Sequence, residues 1–155
     1  MKIPENKFYM GLAAVVSQLS RANNLKVGAV LVKDNNILAF GFNGTPAGRD
    51  NACEVEGVTK LEVLHAEENA ILKVARSTQS TEGSTLYTTA RPCLSCARNI
   101  VAAGIERVVY RDLKDGDREP LDFLKECGVD VEQTQYRYGH EEKEENEEGD
   151  QESGC

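Results

Sequence analysis

The 155-residue chain lacks tryptophan, has two histidines, and carries no long hydrophobic segment. Its apolar runs, such as Gly28–Val32 and Val101–Ile105, fall far short of the ~20 residues a helix needs to cross a bilayer. The start, Met1-Lys2-Ile3-Pro4-Glu5, lacks the charged-then-apolar design of a secretion signal. A basic stretch is missing too: 18 Lys and Arg stand against 26 Asp and Glu, for a net charge of −8. That argues against a polynucleotide partner, because neutralising phosphates leaves a basic footprint. A free nucleotide needs only a local pocket and stays admissible. The five cysteines are odd in number and two form Cys-x-x-Cys. Without an extracellular signal, this predicts a reducing, cytoplasmic setting rather than a disulfide framework. With no internal repeat or interior linker, one domain is expected.

The acidity is concentrated at one end. Between His140 and Cys155 eight carboxylates accompany one lysine, which leaves residues 1–139 near neutrality. The reading is a folded domain over 1–139 and an acidic tail over 140–155, expected to be disordered because it has almost nothing apolar to bury.

Along the domain, Phe8, Leu12, Val15, Val16 and Leu19 recur at helical spacing behind Pro4 and Glu5, predicting a first helix. Lys26–Lys33 reads as a strand covered on both faces. Turn chemistry at Asp34-Asn35-Asn36 leads into a second strand, Ile37–Phe42, to form an antiparallel hairpin. A loop follows from Gly41-Phe42-Asn43-Gly44 to about Leu61, long enough to suggest function. Helices are expected at His65–Arg76, Cys93–Ala103 and Pro120–Cys127, with strands at Ser84–Thr89, Glu106–Arg111 and, as an edge, Val129–Val131. The alternation implies an α/β fold with three layers, α/β/α, around a mixed sheet of about five strands.

Two short pieces carry the chemistry. His65-Ala66-Glu67 opens one helix and Pro92-Cys93-Leu94-Ser95-Cys96 opens the next. Cys93 and Cys96 are three apart, so both sulfurs face one way on a first helical turn. The positive end of the helix dipole favours thiolates, the form that binds zinc. With His65 they make three protein ligands for Zn2+, leaving open the fourth tetrahedral position that catalytic sites keep for water. Glu67 lies two residues along and points away from the ligand position. It suits a proton carrier beside the water, not a fourth ligand. Cys53 and Cys127 are not expected to bind metal, and one zinc per chain is predicted.

At these residues the sequence resembles the zinc-dependent cytidine and deoxycytidylate deaminase superfamily, whose motif pair this is. Likeness extends over about residues 5–135 and includes Lys26-Val27-Gly28-Ala29-Val30, Gly41-Phe42-Asn43-Gly44-Thr45-Pro46 and His65-Ala66-Glu67-Glu68-Asn69-Ala70-Ile71. The asparagine–glycine–proline loop leans toward the deoxycytidylate (dCMP) deaminases. The resemblance implies a cytidine deaminase-like fold and hydrolysis of dCMP to dUMP and ammonia, with Glu67 moving the protons. It implies that the Ala66 N–H reads the base carbonyl and Asn43 the sugar hydroxyl, although Asn-Gly is also plain turn chemistry. Arg91 and Tyr110 are further candidates to line the substrate site.

The same likeness implies a homohexamer activated by dCTP and inhibited by dTTP, with Mg2+ accompanying a triphosphate effector. Arg21, Asn24, Lys26 and Gly44 are the effector-site candidates. Three alternatives stay open. The first is a deaminase of another base or context, such as dCTP, tRNA adenosine or guanine. The second is a non-catalytic, zinc-stabilised nucleotide-binding module, and the third is a thiol-redox pair at Cys93 and Cys96.

Overall fold

The computed structural model describes residues 3–113 and 116–137. The acidic tail and His140 lie outside the described residues. Helix α1 (Glu5–Ser17) is followed by strands β1 (Gly28–Lys33) and β2 (Asn36–Phe42), then by a small hairpin, β3 (Glu54–Val55) and β4 (Val58–Thr59). Next come α2 (Ala66–Ala75), β5 (Thr85–Ala90), α3 (Leu94–Ala102), β6 (Arg107–Asp112), α4 (Glu119–Glu126) and β7 (Asp130–Gln133). The main sheet has the order β2-β1-β5-β6-β7. β1 is antiparallel to both β2 and β5, whereas β5, β6 and β7 run parallel. The sheet is therefore mixed and five-stranded, with β7 at an edge, as the element order predicts.

Alternation along the central strands builds the two faces. Ala29, Leu31, Leu86 and Val108 pack with Ala66, Ala70, Ala97, Ile100 and Leu124 of the helices α2, α3 and α4. Val30, Val32, Tyr87 and Val109 face the other way, onto Tyr9, Met10 and Ala13 of α1. Burial on both sides explains why β1 reads as a continuous apolar run rather than an alternating one.

The structure corrects two expectations. The first helix is present, but its contact face is shifted from the predicted stripe: Leu12 and Val16 pack partly buried against the core, Phe8, Val15 and, just past the helix, Leu19 are exposed, and Tyr9, Met10, Ala13 and Ser17 are buried. Close approach decides this. A Cβ on Gly28 would fall 2.0 Å from the Ala13 carbonyl oxygen, so the helix sits with its small-residue face directly on β1. The stretch read as one loop also has structure of its own. β3 and β4 pair through a turn whose Glu56 and Gly57 have φ of 52° and 77°. The excursion closes where Gly44 and Leu64 exchange backbone hydrogen bonds of 3.1 and 2.8 Å, which returns the chain immediately before His65.

Candidate metal centre and active-site cavity

Helix α2 carries the first motif into place because β2 has no side chain where the helix arrives. A Cβ at Gly41 would lie 2.4 Å from the Ala66 carbonyl oxygen and 2.6 Å from the Ala70 nitrogen. The Asn69 side-chain amide also donates to the Phe42 carbonyl at 3.0 Å, tying the helix to that strand. His65 is the N-cap, and its backbone N–H donates to the Glu68 carboxylate at 3.0 Å. That bond satisfies one of the amides that a helix start leaves free. Cys93 is the N-cap of α3, with its sulfur accepting from the Cys96 N–H at 3.4 Å.

These two helix starts bring three ligand atoms together. His65 Nδ1 lies 3.4 Å from the sulfurs of both Cys93 and Cys96, and all three atoms lie within 4.8 Å of one another. A tetrahedral Zn2+ with ordinary Zn–N and Zn–S bonds needs ligand–ligand edges of about 3.5 Å, so the donor set fits the ion. Among the described residues, no fourth His, Cys, Asp or Glu joins the cluster. The electrostatics agree with a site built for a cation. Hydrogen bonding from the Cys96 thiol and contact with His65 pull the Cys93 thiol down to about 3. Cys96 is pushed up because it keeps the proton shared with Cys93 and is buried. The same contact with Cys93 raises His65. A dication would release this proton and take both sulfurs as thiolates.

Glu67 is buried beside this cluster, at 4% exposure. Burial raises its carboxyl above the ordinary range, and the Thr88 hydroxyl, donating at 2.9 Å, acts against that rise. Thr88 is on the central strand β5. The proton-carrying candidate is therefore braced by the middle strand of the sheet.

A cavity of about 230 Å³ opens over these groups. Asn43, Ala66 and Arg91 line it with His65, Glu67 and Cys93. The Asn43 amide spans the entrance loop, accepting from the Val27 N–H at 2.9 Å and donating to the Leu25 carbonyl at 2.7 Å. Arg91 is anchored by its guanidinium donating to the Asp117 carbonyl and by its backbone N–H donating to Asp112. Its Nε is buried without a partner among the described residues. Tyr110 is buried in β6, opposite Thr88, and does not border the cavity.

The effector-site candidates separate. Asn24 borders the first cavity. Arg21 and Gly44 border a second one of about 510 Å³, with Leu19, Phe42, Lys73 and Arg76. Lys26 is exposed and borders neither. Sequence reasoning passed over Glu54 and Thr88. The first lies in the short strand β3, beside the cavity, and the second reads as an ordinary strand threonine. Neither has a local spacing signal.

Comparison with known proteins places this geometry. A family model described as "Cytidine and deoxycytidylate deaminase zinc-binding region" matches residues 4–112. The deoxycytidylate deaminase of Mycobacterium phage D29 is 37% identical over 120 residues, covering 68% of this chain and 92% of its own. That of Enterobacteria phage T4 is 32% identical over 163 residues, covering 77% and 84%. The crystal structure of dCMP deaminase from the cyanophage S-TIM5, in complex with dCMP and dUMP, superposes with a TM-score of 0.81 at 43% identity. It covers 86% of this chain and 99% of its own. From the matched motifs, their geometry and these likenesses together, this chain belongs to the cytidine and deoxycytidylate deaminase family.

Proposed function

We propose that this protein hydrolyses dCMP to dUMP and ammonia. The observation that carries the reading is the open triangle of His65, Cys93 and Cys96 with buried Glu67 beside it. The cyanophage relative with this fold is described in complex with dCMP and dUMP. A zinc ion held by the three ligands supplies a Lewis acid that makes water nucleophilic near neutral pH. Glu67 takes one proton from the attacking water and gives it to N3 of the cytosine as the new C4–O bond forms. It then takes the second proton from that oxygen and gives it to N4, so the C4–N4 bond breaks and NH3 leaves. Thr88 holds the carboxylate on the side of the ligand cluster. Ala66 opens α2, where backbone N–H groups lack intrahelical partners, and its N–H meets the base carbonyl. Arg91 faces the same cavity with a cation suited to the phosphate.

Regulation by dCTP and dTTP is part of the same reading, with the second cavity as the effector site. Its support is the grouping there of the cations Arg21, Lys73 and Arg76 with Gly44, which suits a triphosphate, with Mg2+ as its counter-ion. The exposed apolar side chains Phe8 and Val15 on α1 and Leu19 just beyond its end support a homo-oligomer, the hexamer that family likeness implies.

The test is ammonia release from dCMP, dCTP, cytidine, deoxycytidine and adenosine-containing RNA on metal-quantified protein, with and without dTTP. Turnover of dCMP above all others is expected. Zinc-loaded protein that leaves dCMP intact overturns the reading. Rates indifferent to dCTP and dTTP remove only the regulatory part.

A further inference from the structure

We infer that Glu54 is the residue that reads the 3′-hydroxyl of the bound deoxynucleotide, and so sets the requirement for that hydroxyl. The inference rests on the dCMP reading above. Glu54 opens β3 and lines the cavity that holds His65 and Glu67. Its two carboxylate oxygens have different fates. Oε1 accepts the backbone N–H groups of Asn23 and Asn24 at 2.9 and 3.2 Å, which fixes the side chain against the loop after α1. Oε2 is buried and has no hydrogen-bond partner among the described residues. A buried acceptor normally has a donor, and a carboxylate oxygen needs one more than most.

The chemistry of the substrate limits what that donor can be. A cytosine deoxynucleotide 5′-phosphate carries two donating groups, the N4 amine and the 3′-hydroxyl. The amine is the group that leaves, so it belongs at Glu67 and the ligand cluster. That assigns the hydroxyl to Glu54 Oε2. Asn43 is a weaker reader of the hydroxyl, because its amide already bridges Val27 and Leu25. The negative charge of Glu54 also turns the phosphate away from this end of the cavity.

The experiment compares kcat/KM for dCMP with that for 2′,3′-dideoxycytidine 5′-monophosphate. A site built around a substrate hydroxyl rejects the analogue lacking it, so wild type should prefer dCMP by about 100-fold or more. In Glu54→Gln, whose remaining oxygen can keep the Asn23 and Asn24 amides, the preference should fall by about tenfold or more. Glu54→Met, similar in shape with no acceptor, should abolish most of it. Zinc content, measured alongside, should stay at the wild-type value in both variants, and the thermal midpoint should stay there in Glu54→Gln, which keeps the bonds to Asn23 and Asn24. Wild type that accepts both nucleotides equally overturns the inference without any variant, as does an unchanged preference in both variants. Absence of any dCMP turnover by wild type sinks the underlying functional reading instead, a separate outcome.

Discussion

The Thr88 hydroxyl donates a 2.9 Å hydrogen bond to Glu67 Oε1, with both side chains buried. The Ala90 carbonyl, 3.0 Å from the same Thr88 oxygen, is the alternative acceptor for the single hydroxyl proton. A carboxylate that must meet a water, a ring nitrogen and a leaving amine in turn cannot wander between those steps. The strand holds it.

Thr88→Val keeps the shape and removes the donor. A hydrogen bond to a charged group is worth about 1.5–3 kcal/mol, or roughly 10- to 100-fold in rate if fully expressed in the transition state. We expect kcat for dCMP to fall by that amount with zinc content unchanged. Steady-state kinetics on metal-quantified protein decide it. A variant with wild-type kcat would show that the strand hydroxyl does not position Glu67.

Glu67→Gln should be more severe, because positioned proton transfer contributes typically 10²–10⁴-fold and this one group serves several transfers. Turnover should drop by at least about 10³-fold while the zinc stoichiometry stays at wild type. Retained turnover would show that Glu67 is not the group that moves the protons.

Removing the metal should expose Cys93. Its thiol is held down at about 3, so in metal-free protein it is a thiolate above that value and alkylates even in mildly acidic buffer, where ordinary thiols are protonated. The sign is that of a depressed acid: reactivity is lost only as pH falls through the lowered value. Peptide-resolved iodoacetamide labelling at pH 5 should mark Cys93 ahead of exposed Cys127, and adding zinc should protect it. Equal labelling of the two would contradict the assignment.

Gly41→Ala tests how the helix reaches the sheet. Its methyl would meet the backbone of Ala66 at 2.4 Å, and backbone cannot yield as a side-chain tip can. Overpacking of this kind costs about 1–3 kcal/mol or more. Moving α2 also moves His65. We expect a lower thermal midpoint together with weaker zinc retention, read by calorimetry and metal analysis. A lowered midpoint with full zinc retention would separate fold stability from ligand placement.

Several features were legible from local pattern. Turn chemistry at Asp34 and Asn35, where φ is 51° and 62°, and the doubly buried run of β1 follow from backbone preference and from burial. Other features were not. Phe8, Val15 and Leu19 have the spacing of a core stripe, yet they stay outside because Gly28 admits a neighbouring face of α1. Such a choice depends on a residue outside the helix. The β3–β4 hairpin escaped notice because two-residue strands are too short to show a period.

The sequence by itself determined the donor types of the candidate metal centre: a histidine at the start of α2 and two cysteines at the start of α3, where free N–H groups and the dipole favour negative charge on sulfur. Only the tertiary structure decided which groups share the cavity with them. Thr88 meets Glu67 across 21 residues and Glu54 meets Asn23 across 31, contacts set by strand order and by the closure of Gly44 on Leu64. Periodicity reports the faces of single elements. The meeting of distant side chains is fixed by how those elements pack.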